Sequence, residues 1–134
     1  MDVSPENIEV EDKHRTQKVN PNEFYPISIL GKGSFGEVYL VKRNDKDLFA
    51  MKVLSKKKIM SNNYIKYAMT ERNVLSFTHH PFIVKLNYAF QTENKLYLIL
   101  DYCSGGDMRK LLRRLGKLQE NEARLYIAEI LLAI

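Results

Sequence analysis

A glycine cluster that leads directly into an apolar segment constrains this chain more than any other feature of its sequence. Gly31, Gly33 and Gly36 have the spacing G-x-G-x-x-G, and Val38 extends the pattern to G-x-G-x-x-G-x-V. In dinucleotide-binding folds the last glycine of this pattern opens a helix. Here residues 37–41 read Glu-Val-Tyr-Leu-Val, which is typical of a strand. The cluster is therefore predicted to be a loop between two strands, which excludes the dinucleotide-binding fold.

The P-loop, the other common phosphate-binding glycine motif, is excluded by one residue. Gly31 and Gly36 have the required separation, but the next residue must be Lys and is Glu37. What remains is a glycine loop between two antiparallel strands. Because glycines carry no Cβ atom, the backbone of such a loop can close over a triphosphate. The sequence thus indicates a nucleotide-binding loop.

The pattern around the loop predicts an α+β fold. Five apolar segments have the length and composition of strands: residues 24–30, 37–41, 48–54, 82–90 and 95–102. The first three are joined by short connections and predict an antiparallel meander. Pro26 lies in the first segment, which is therefore expected at a sheet edge or at the start of a strand. Residues 62–77 predict a helix, with Ser61 as a possible N-cap and Pro81 after its end.

The C-terminal part of the chain is predicted to be helical. Residues 107–115 form a short helix that ends at Gly116, and residues 120–134 form a longer one. An apolar stripe on the longer helix comprises Ala123, Ile127, Ile130, Leu131 and Ile134. Residues 1–22 are polar and lack a clear period. We therefore divide the chain into a flexible extension (1–23), a sheet-containing part (24–102) and a helical part (103–134).

Lys52, in the third predicted strand, is the first candidate for chemistry. Strand alternation puts Ala50, Lys52 and Leu54 on one face. A solvated strand lysine is the simple alternative. However, an unpaired ammonium on a partly apolar face is costly, so Lys52 is expected to have an acidic partner.

Glu71 is the best candidate for that partner. It lies nineteen residues after Lys52, in the middle of the predicted helix. Ala68, Glu71 and Leu75 share one stripe of this helix, since they are spaced i, i+3, i+7. A glutamate on an inward-facing stripe can reach a strand lysine, whereas an exposed helix glutamate would need no partner.

At this point the sequence resembles a known family. A glycine-rich loop, a strand lysine and a helix glutamate hold the nucleotide in protein kinases. Residues 70–75 (Thr-Glu-Arg-Asn-Val-Leu), 80–86 (His-Pro-Phe-Ile-Val-Lys-Leu) and 96–102 (Leu-Tyr-Leu-Ile-Leu-Asp-Tyr) resemble the AGC group of serine/threonine kinases. Within it they are most similar to the branch of protein kinase B, serum/glucocorticoid-regulated kinase and ribosomal S-six kinases. The resemblance covers about residues 24–134.

The resemblance implies a fold and a set of ATP-binding residues. The fold would be a kinase N-lobe, a five-stranded antiparallel sheet plus a regulatory helix, followed by the hinge and the first helices of the C-lobe. Lys52 and Glu71 would be the catalytic pair. The adenine slot would comprise Leu30, Val38 and Ala50, with Leu100 as gatekeeper, and the loop over the phosphates would comprise Gly31, Lys32, Gly33, Ser34, Phe35 and Gly36.

The hinge residues receive their roles from the same resemblance. The carbonyl of Asp101 and the amide of Cys103 would bond adenine, although Cys103 can also be a small packed residue. Asp107 matches a position, more often Glu, that bonds ribose and can meet a basic residue of the substrate. No metal ligands are assigned, because the Mg²⁺ ligands of the family would lie beyond Ile134.

Kinases of this group also carry a groove beside the regulatory helix that accepts an aromatic tail motif. Positions near Ile59, Tyr64, Val74 and Leu96 are candidates to line one here, the alternative being ordinary core packing. Residues 56–58, three consecutive lysines, are interpreted as a solvated turn that leads into the helix, the alternative being a phosphate-binding or localisation patch. Other partners implied are ATP and, for the complete kinase, protein substrates.

Phosphoryl transfer itself needs groups that these 134 residues lack. The H-R-D-x-x-x-x-N loop and the D-F-G motif, which supply the base and hold Mg²⁺, do not occur in the sequence. We expect the parent protein to be a serine/threonine kinase and this chain by itself to be inactive. The alternatives are a non-catalytic module that binds nucleotide or a regulator, and a short form that competes for regulators.

Composition and charge limit the partners and the cellular location that this chain can have. The net charge is +5, with −3 in residues 1–23 and +8 in the remainder. The aromatic residues do not alternate with the bases as they do in single-strand binders, so no nucleic-acid partner is expected. No segment has the apolar length of a membrane span or the pattern of a secretory signal. With Cys103 as the single cysteine, the expected location is intracellular, in the cytoplasm or also the nucleus.

Overall fold

The computed structural model describes residues 19–34, 36–61 and 65–134, with the side chains of all of these except 65, 67, 68, 76 and 77. Five strands form one antiparallel sheet: β1 (Tyr25–Lys32), β2 (Gly36–Arg43), β3 (Asp47–Ser55), β4 (Leu86–Gln91) and β5 (Lys95–Asp101). Their order is β1-β2-β3-β5-β4. The predicted α+β fold with a five-stranded antiparallel sheet is thus confirmed.

The helices follow the chain order. A 3-10 turn (Pro21–Glu23) precedes β1, and the α-helices are α1 (Lys56–Ser61), α2 (Ile65–Phe77), α3 (Met108–Leu115) and α4 (Glu120–Ala133). α1 contacts β3, and α2 contacts β4. In the described part of the chain, no helix has the length and hydropathy that crossing a bilayer requires.

β1 lies at one edge of the sheet, as Pro26 predicted. Its pairing with β2 shifts register between Pro26 and Ser28 and again between Ile29 and Gly31. A proline has no N–H to donate, so an edge strand with a register shift accommodates it without the loss of a ladder hydrogen bond.

Three local predictions were wrong. Ser61 is not an N-cap but the last residue of α1, where its hydroxyl donates to the carbonyl of Lys58 at 3.2 Å. The three lysines at 56–58, interpreted as a turn, form the first half of that helix. β4 begins at Leu86 and not at 82, because His80 organises a turn: its Nδ1 accepts from the amide of Phe82.

Each face of the sheet buries its own apolar cluster. On one face Phe24, Val41, Met51 and Ile99 pack together, and Val41 and Ile99 are fully buried. On the other face Leu54, Leu86 and Leu98 pack against Ile59 of α1 and Leu75 of α2. Burial of each such side chain is worth about 1.5–3 kcal/mol. The second cluster is therefore what holds α1 and α2 on the sheet.

An arginine fastens the N-terminal end of the described chain to the first face. The Arg43 guanidinium bonds Glu23 Oε2 at 2.7 Å and the Tyr88 hydroxyl at 2.7 Å. It also lies 4.9 Å from the centroid of the Tyr88 ring and 5.7 Å from that of Phe24. We call Glu23, Phe24, Arg43 and Tyr88 the anchor cluster. Residues 19–23 of the predicted extension therefore belong with the sheet, whereas residues 1–18 lie outside the described residues.

Candidate functional site

Lys52 and Glu71 form the central pair of the site. Lys52 extends from β3 and Glu71 from α2, and Nζ lies 2.6 Å from Oε1. The two side chains are 29% and 38% exposed, so the pair is shielded on one side and open on the other. The pairing that strand alternation and helical spacing predicted is present. A half-exposed ion pair adds only about 1 kcal/mol to stability, so its main effect is to hold the ammonium in place.

The strand register puts the predicted apolar slot on the same sheet face as Lys52. Val38 lies directly opposite Lys52 in the β2–β3 pair, and Ala50 lies opposite Leu100 in the β3–β5 pair. Residues opposite each other share a face, as do residues two apart on a strand. Leu30, half-buried, lies at the end of β1 next to the register shift. Val38, Ala50 and Leu100 thus share the sheet face of Lys52, and Leu30 lies two strands away on β1.

The glycine loop connects β1 and β2 as a tight turn. The amide of Gly33 donates to the carbonyl of Gly36 at 2.8 Å. Below it, Gly31 pairs with Val38, and Lys32 pairs with Glu37. Ser34 is exposed at the tip, and Phe35 lies outside the described residues. The loop is closed by its own backbone and leaves its tip open to a ligand.

The glycines of this loop have different reasons to be glycine. A Cβ on Gly36 would lie 1.8 Å from the carbonyl oxygen of Val53, so the close approach of β2 and β3 requires Gly there. A Cβ on Gly31 would meet nothing within 4 Å, and one on Gly33 only the Gly36 carbonyl at 3.8 Å. Gly36 is therefore needed for the fold, whereas close packing does not require glycine at positions 31 and 33.

Three polar side chains, those of Lys32, Glu37 and Tyr39, interact at the base of the loop. The carboxylate of Glu37 accepts from the Tyr39 hydroxyl and lies 3.2 Å from the Lys32 ammonium. These two contacts lower the pKa of Glu37, and the hydrogen bond from the Tyr39 hydroxyl has the larger effect. The same bond raises the pKa of Tyr39. Glu37 thus stays ionised and holds Lys32 on the strand pair.

At the other end of the sheet, the predicted hinge residues follow one another along the chain. Asp101, the last residue of β5, receives a hydrogen bond on Oδ1 from Asn87 at 2.7 Å. Cys103 is exposed, and its carbonyl accepts from the amide of Gly106 at 3.1 Å. Asp107 N-caps α3, because its Oδ1 accepts from the amide of Lys110 at 2.8 Å.

The capping role of Asp107 was missed at the sequence level. Asp is among the preferred N-cap residues, and its place directly before a helical segment was the available signal. No group of three or more His, Cys, Asp or Glu side chains in the described residues is arranged to hold a metal ion.

The comparison with known proteins settles the family. The protein kinase domain model matches residues 24–134. The chain belongs to the protein kinase family. This agrees with the sheet order and with the lysine–glutamate pair already described.

Three similar kinases indicate the group. The chain is 46% identical to a RAC family serine/threonine-protein kinase homolog of Dictyostelium discoideum. The alignment covers 90% of this chain and 27% of that protein. It is 44% identical to human ribosomal protein S6 kinase alpha-3, in an alignment that covers 91% of this chain and 17% of that protein. It is 47% identical to serine/threonine-protein kinase SCH9 of Saccharomyces cerevisiae, in an alignment that covers 85% of this chain and 14% of that protein. The AGC resemblance is confirmed, and the chain spans about a quarter or less of these relatives.

The kinase chain also has a groove between α1, α2 and the strands β3, β4 and β5, with a volume of about 290 Å³. We call it the α2 groove; its lining includes Ile59, Met60, Met69, Arg72, Leu96 and Lys56. Two of the four positions predicted to line such a groove, Ile59 and Leu96, do so. Val74 instead lies on α2 with 53% of its surface exposed and is not part of the lining, and Tyr64 lies outside the described residues.

Proposed function

We propose that this chain binds ATP as the nucleotide-binding part of a serine/threonine protein kinase. The observation that carries the proposal is the Lys52–Glu71 pair at 2.6 Å, which extends from the sheet face that also bears Val38 and Ala50. An ammonium held by a carboxylate, next to an apolar slot and below a glycine loop, suits a ligand with an aromatic base and a polyphosphate. Lys52 would contact the α- and β-phosphates.

The remaining contacts follow from the same placement. The apolar side chains of Leu30, Val38, Ala50 and Leu100 would enclose adenine, and the amides of the glycine loop would face the phosphates. The Asp101 carbonyl and the Cys103 amide would bond the edge of adenine. Asp107 would bond the ribose with the carboxylate oxygen that does not cap α3, since Oδ1 already accepts from Lys110.

Transfer of the γ-phosphate to protein Ser or Thr is proposed for the whole kinase and not for these residues. A bound Mg²⁺ would neutralise charge on the phosphates. Neither an H-R-D nor a D-F-G motif occurs in the 134 residues. The residues present would therefore bind and orient the nucleotide, and the base and the metal ligands would come from elsewhere.

A thermal-stability assay tests the ATP proposal. A ligand at 100 times its Kd stabilises the folded state by about 2.7 kcal/mol, which raises Tm by about 5 °C or more at this size. We expect this rise for the chain with ATP and Mg²⁺ and its loss in Lys52→Met. Lys46→Met, in the exposed β2–β3 turn, is the matched control and should keep the rise. An unchanged rise in Lys52→Met would remove Lys52 from the site.

We propose further that the α2 groove accepts a tail segment with aromatic side chains next to an acidic or phosphorylated residue. Its floor is apolar, from Ile59, Met69 and Leu96, and Lys56 and Arg72 place two cations in its lining. An aromatic ring would fill the apolar part, and an acidic group would meet the cations. This mode would also serve the alternative function of a regulator-binding module without catalysis.

Two variants on the same helix test the groove. A fluorescent peptide with two phenylalanines and an acidic residue should bind the chain, as measured by anisotropy. Met69→Glu should weaken this binding at least about tenfold, because the bound peptide would bury the new glutamate charge. Val74→Glu introduces the same charge on α2 outside the groove and should bind like the parent chain. Equal weakening by both substitutions would refute the groove as the binding site.

A further inference from the structure

The surface of α3 carries an unusual concentration of positive charge. Residues 108–118 contain five basic residues and no acidic one. The basic residues are Arg109, Lys110, Arg113, Arg114 and Lys117, and all five are exposed. Four of them share one side of the helix, because 109 and 113, and likewise 110 and 114, are one turn apart.

These cations have no acidic partner among the described residues. None of the five forms a salt bridge there, and the carboxylates nearest to them in the sequence are already engaged. Asp107 caps α3, Glu120 pairs with Arg124 at 2.7 Å, and Glu122 accepts from the amide of Gln119 at 2.9 Å. Like charges one turn apart destabilise a helix slightly, so an acidic occupant on this face would relieve that repulsion.

The sequence contains a segment of opposite charge. Residues 1–12 hold five acids and no base: Asp2, Glu6, Glu9, Glu11 and Asp12. We propose that this acidic segment docks on the basic face of α3. The inference is independent of ATP binding, since it rests on charge and chain geometry alone. Because both partners belong to one chain, the segment acts at an effective concentration of the order of millimolar, so weak contacts suffice.

The path of the chain permits this contact. Val19, the first described residue, packs against the same buried cluster as Phe49, and Phe49 lies opposite Asp101 at the hinge end of the sheet. α3 begins just beyond, after its cap Asp107. Residues 12–19 span up to about 25 Å when extended, comparable with the greatest reach of the chain from Asp101 to Asp107, about 20 Å. A chain that continues from Val19 is therefore long enough for the acidic segment to reach α3.

The charge spacing of the two partners also matches. In an extended chain, alternate side chains lie about 6.7 Å apart on one side. Successive turns of a helix are about 5.4 Å apart. Glu9 and Glu11 can therefore meet two cations that are one turn apart, such as Arg109 and Arg113.

The exposed Cys103, four residues before the cap of α3, allows a direct test. A nitroxide label on Cys103 of the 134-residue chain should reduce the amide NMR peak intensities of residues 6–12 relative to the reduced label. The loss should disappear in Arg113→Glu/Arg114→Glu and in Glu9→Lys/Glu11→Lys. It should return when the two pairs are combined, because the charges are then exchanged. At high salt it should fade in the parent chain.

A matched double substitution separates specific docking from general charge. Lys57→Glu/Lys95→Glu makes the same change in net charge on exposed residues away from α3 and should preserve the intensity loss. Equal effects of this control and of the α3 variant would overturn the proposal, as would undiminished peaks of residues 6–12 in the parent chain. Binding of α3 to vesicles of anionic lipid, with those peaks undiminished, would assign the basic face to a membrane instead.

Discussion

At Gly36, the addition of one carbon atom is enough to distort the loop. Gly36→Ala should lower the free energy of unfolding by about 1–3 kcal/mol, because the new Cβ would lie 1.8 Å from the carbonyl oxygen of Val53 and the strands must separate. Urea denaturation measures this loss.

Gly31→Ala is the control within the same loop. A Cβ there meets no atom within 4 Å, so the free energy of unfolding should change by no more than about 0.5 kcal/mol. If the two substitutions had the same effect, the close approach of β2 and β3 at Gly36 would not be what the loop depends on.

Single residues also show how far local patterns can predict a site. Lys52 and Glu71 were paired from strand alternation and helical spacing, because those two periods determine which side chains face each other. Ser61 and Asp107 were assigned incorrectly or incompletely, because a helix end depends on which backbone amides remain unsatisfied. The nucleotide contacts of the hinge stay predictions.

At the scale of elements, the anchor cluster makes the stability of the sheet depend on pH. The amide of Asn20 and the Arg43 guanidinium lower the pKa of Glu23. A carboxyl group whose pKa is lower in the folded state stabilises that state above its unfolded pKa of about 4.3. This contribution is lost as the pH falls through the folded pKa.

Glu23→Gln should therefore reduce the free energy of unfolding by about 1 kcal/mol at pH 7 and by less at pH 3. Urea denaturation at the two pH values measures the difference. Glu93→Gln, in the exposed β4–β5 turn, should show no such dependence. An equal loss at both pH values would mean that Glu23 contributes through packing and not through its charge.

Element boundaries were predicted less well than element types. The glycine cluster and Pro26 located β1 and β2, since backbone geometry limits where these residues can lie. The start of β4 and the existence of α1 were missed, because a turn at His80 and burial of Ile59 decide them. Both depend on contacts that propensity does not contain.

At the scale of the whole molecule, α4 presents an extended apolar surface. Ile127, Ile130, Leu131 and Leu132 are 54–68% exposed, although apolar residues at this spacing normally face a core. The 134-residue chain should therefore associate at raised concentration, and Leu131→Lys should shift it toward monomer in sedimentation velocity.

Asn121→Lys adds the same charge to an exposed position on the same helix and serves as the control. It should leave association almost unchanged. If both substitutions reduced association equally, net charge and not the apolar surface of α4 would govern it.

The sequence by itself determined the α+β class, the glycine loop between two strands, the lysine–glutamate pair and the resemblance to AGC kinases. The first three follow from spacing and periodicity within single elements, whereas the resemblance rests on the residues of segments 70–75, 80–86 and 96–102. Only the tertiary structure decided the anchor cluster and the lining of the α2 groove. Arg43 meets Glu23 across 20 residues and Tyr88 across 45, and the groove combines two helices with three strands. Such contacts depend on how folded elements pack, which no local pattern contains.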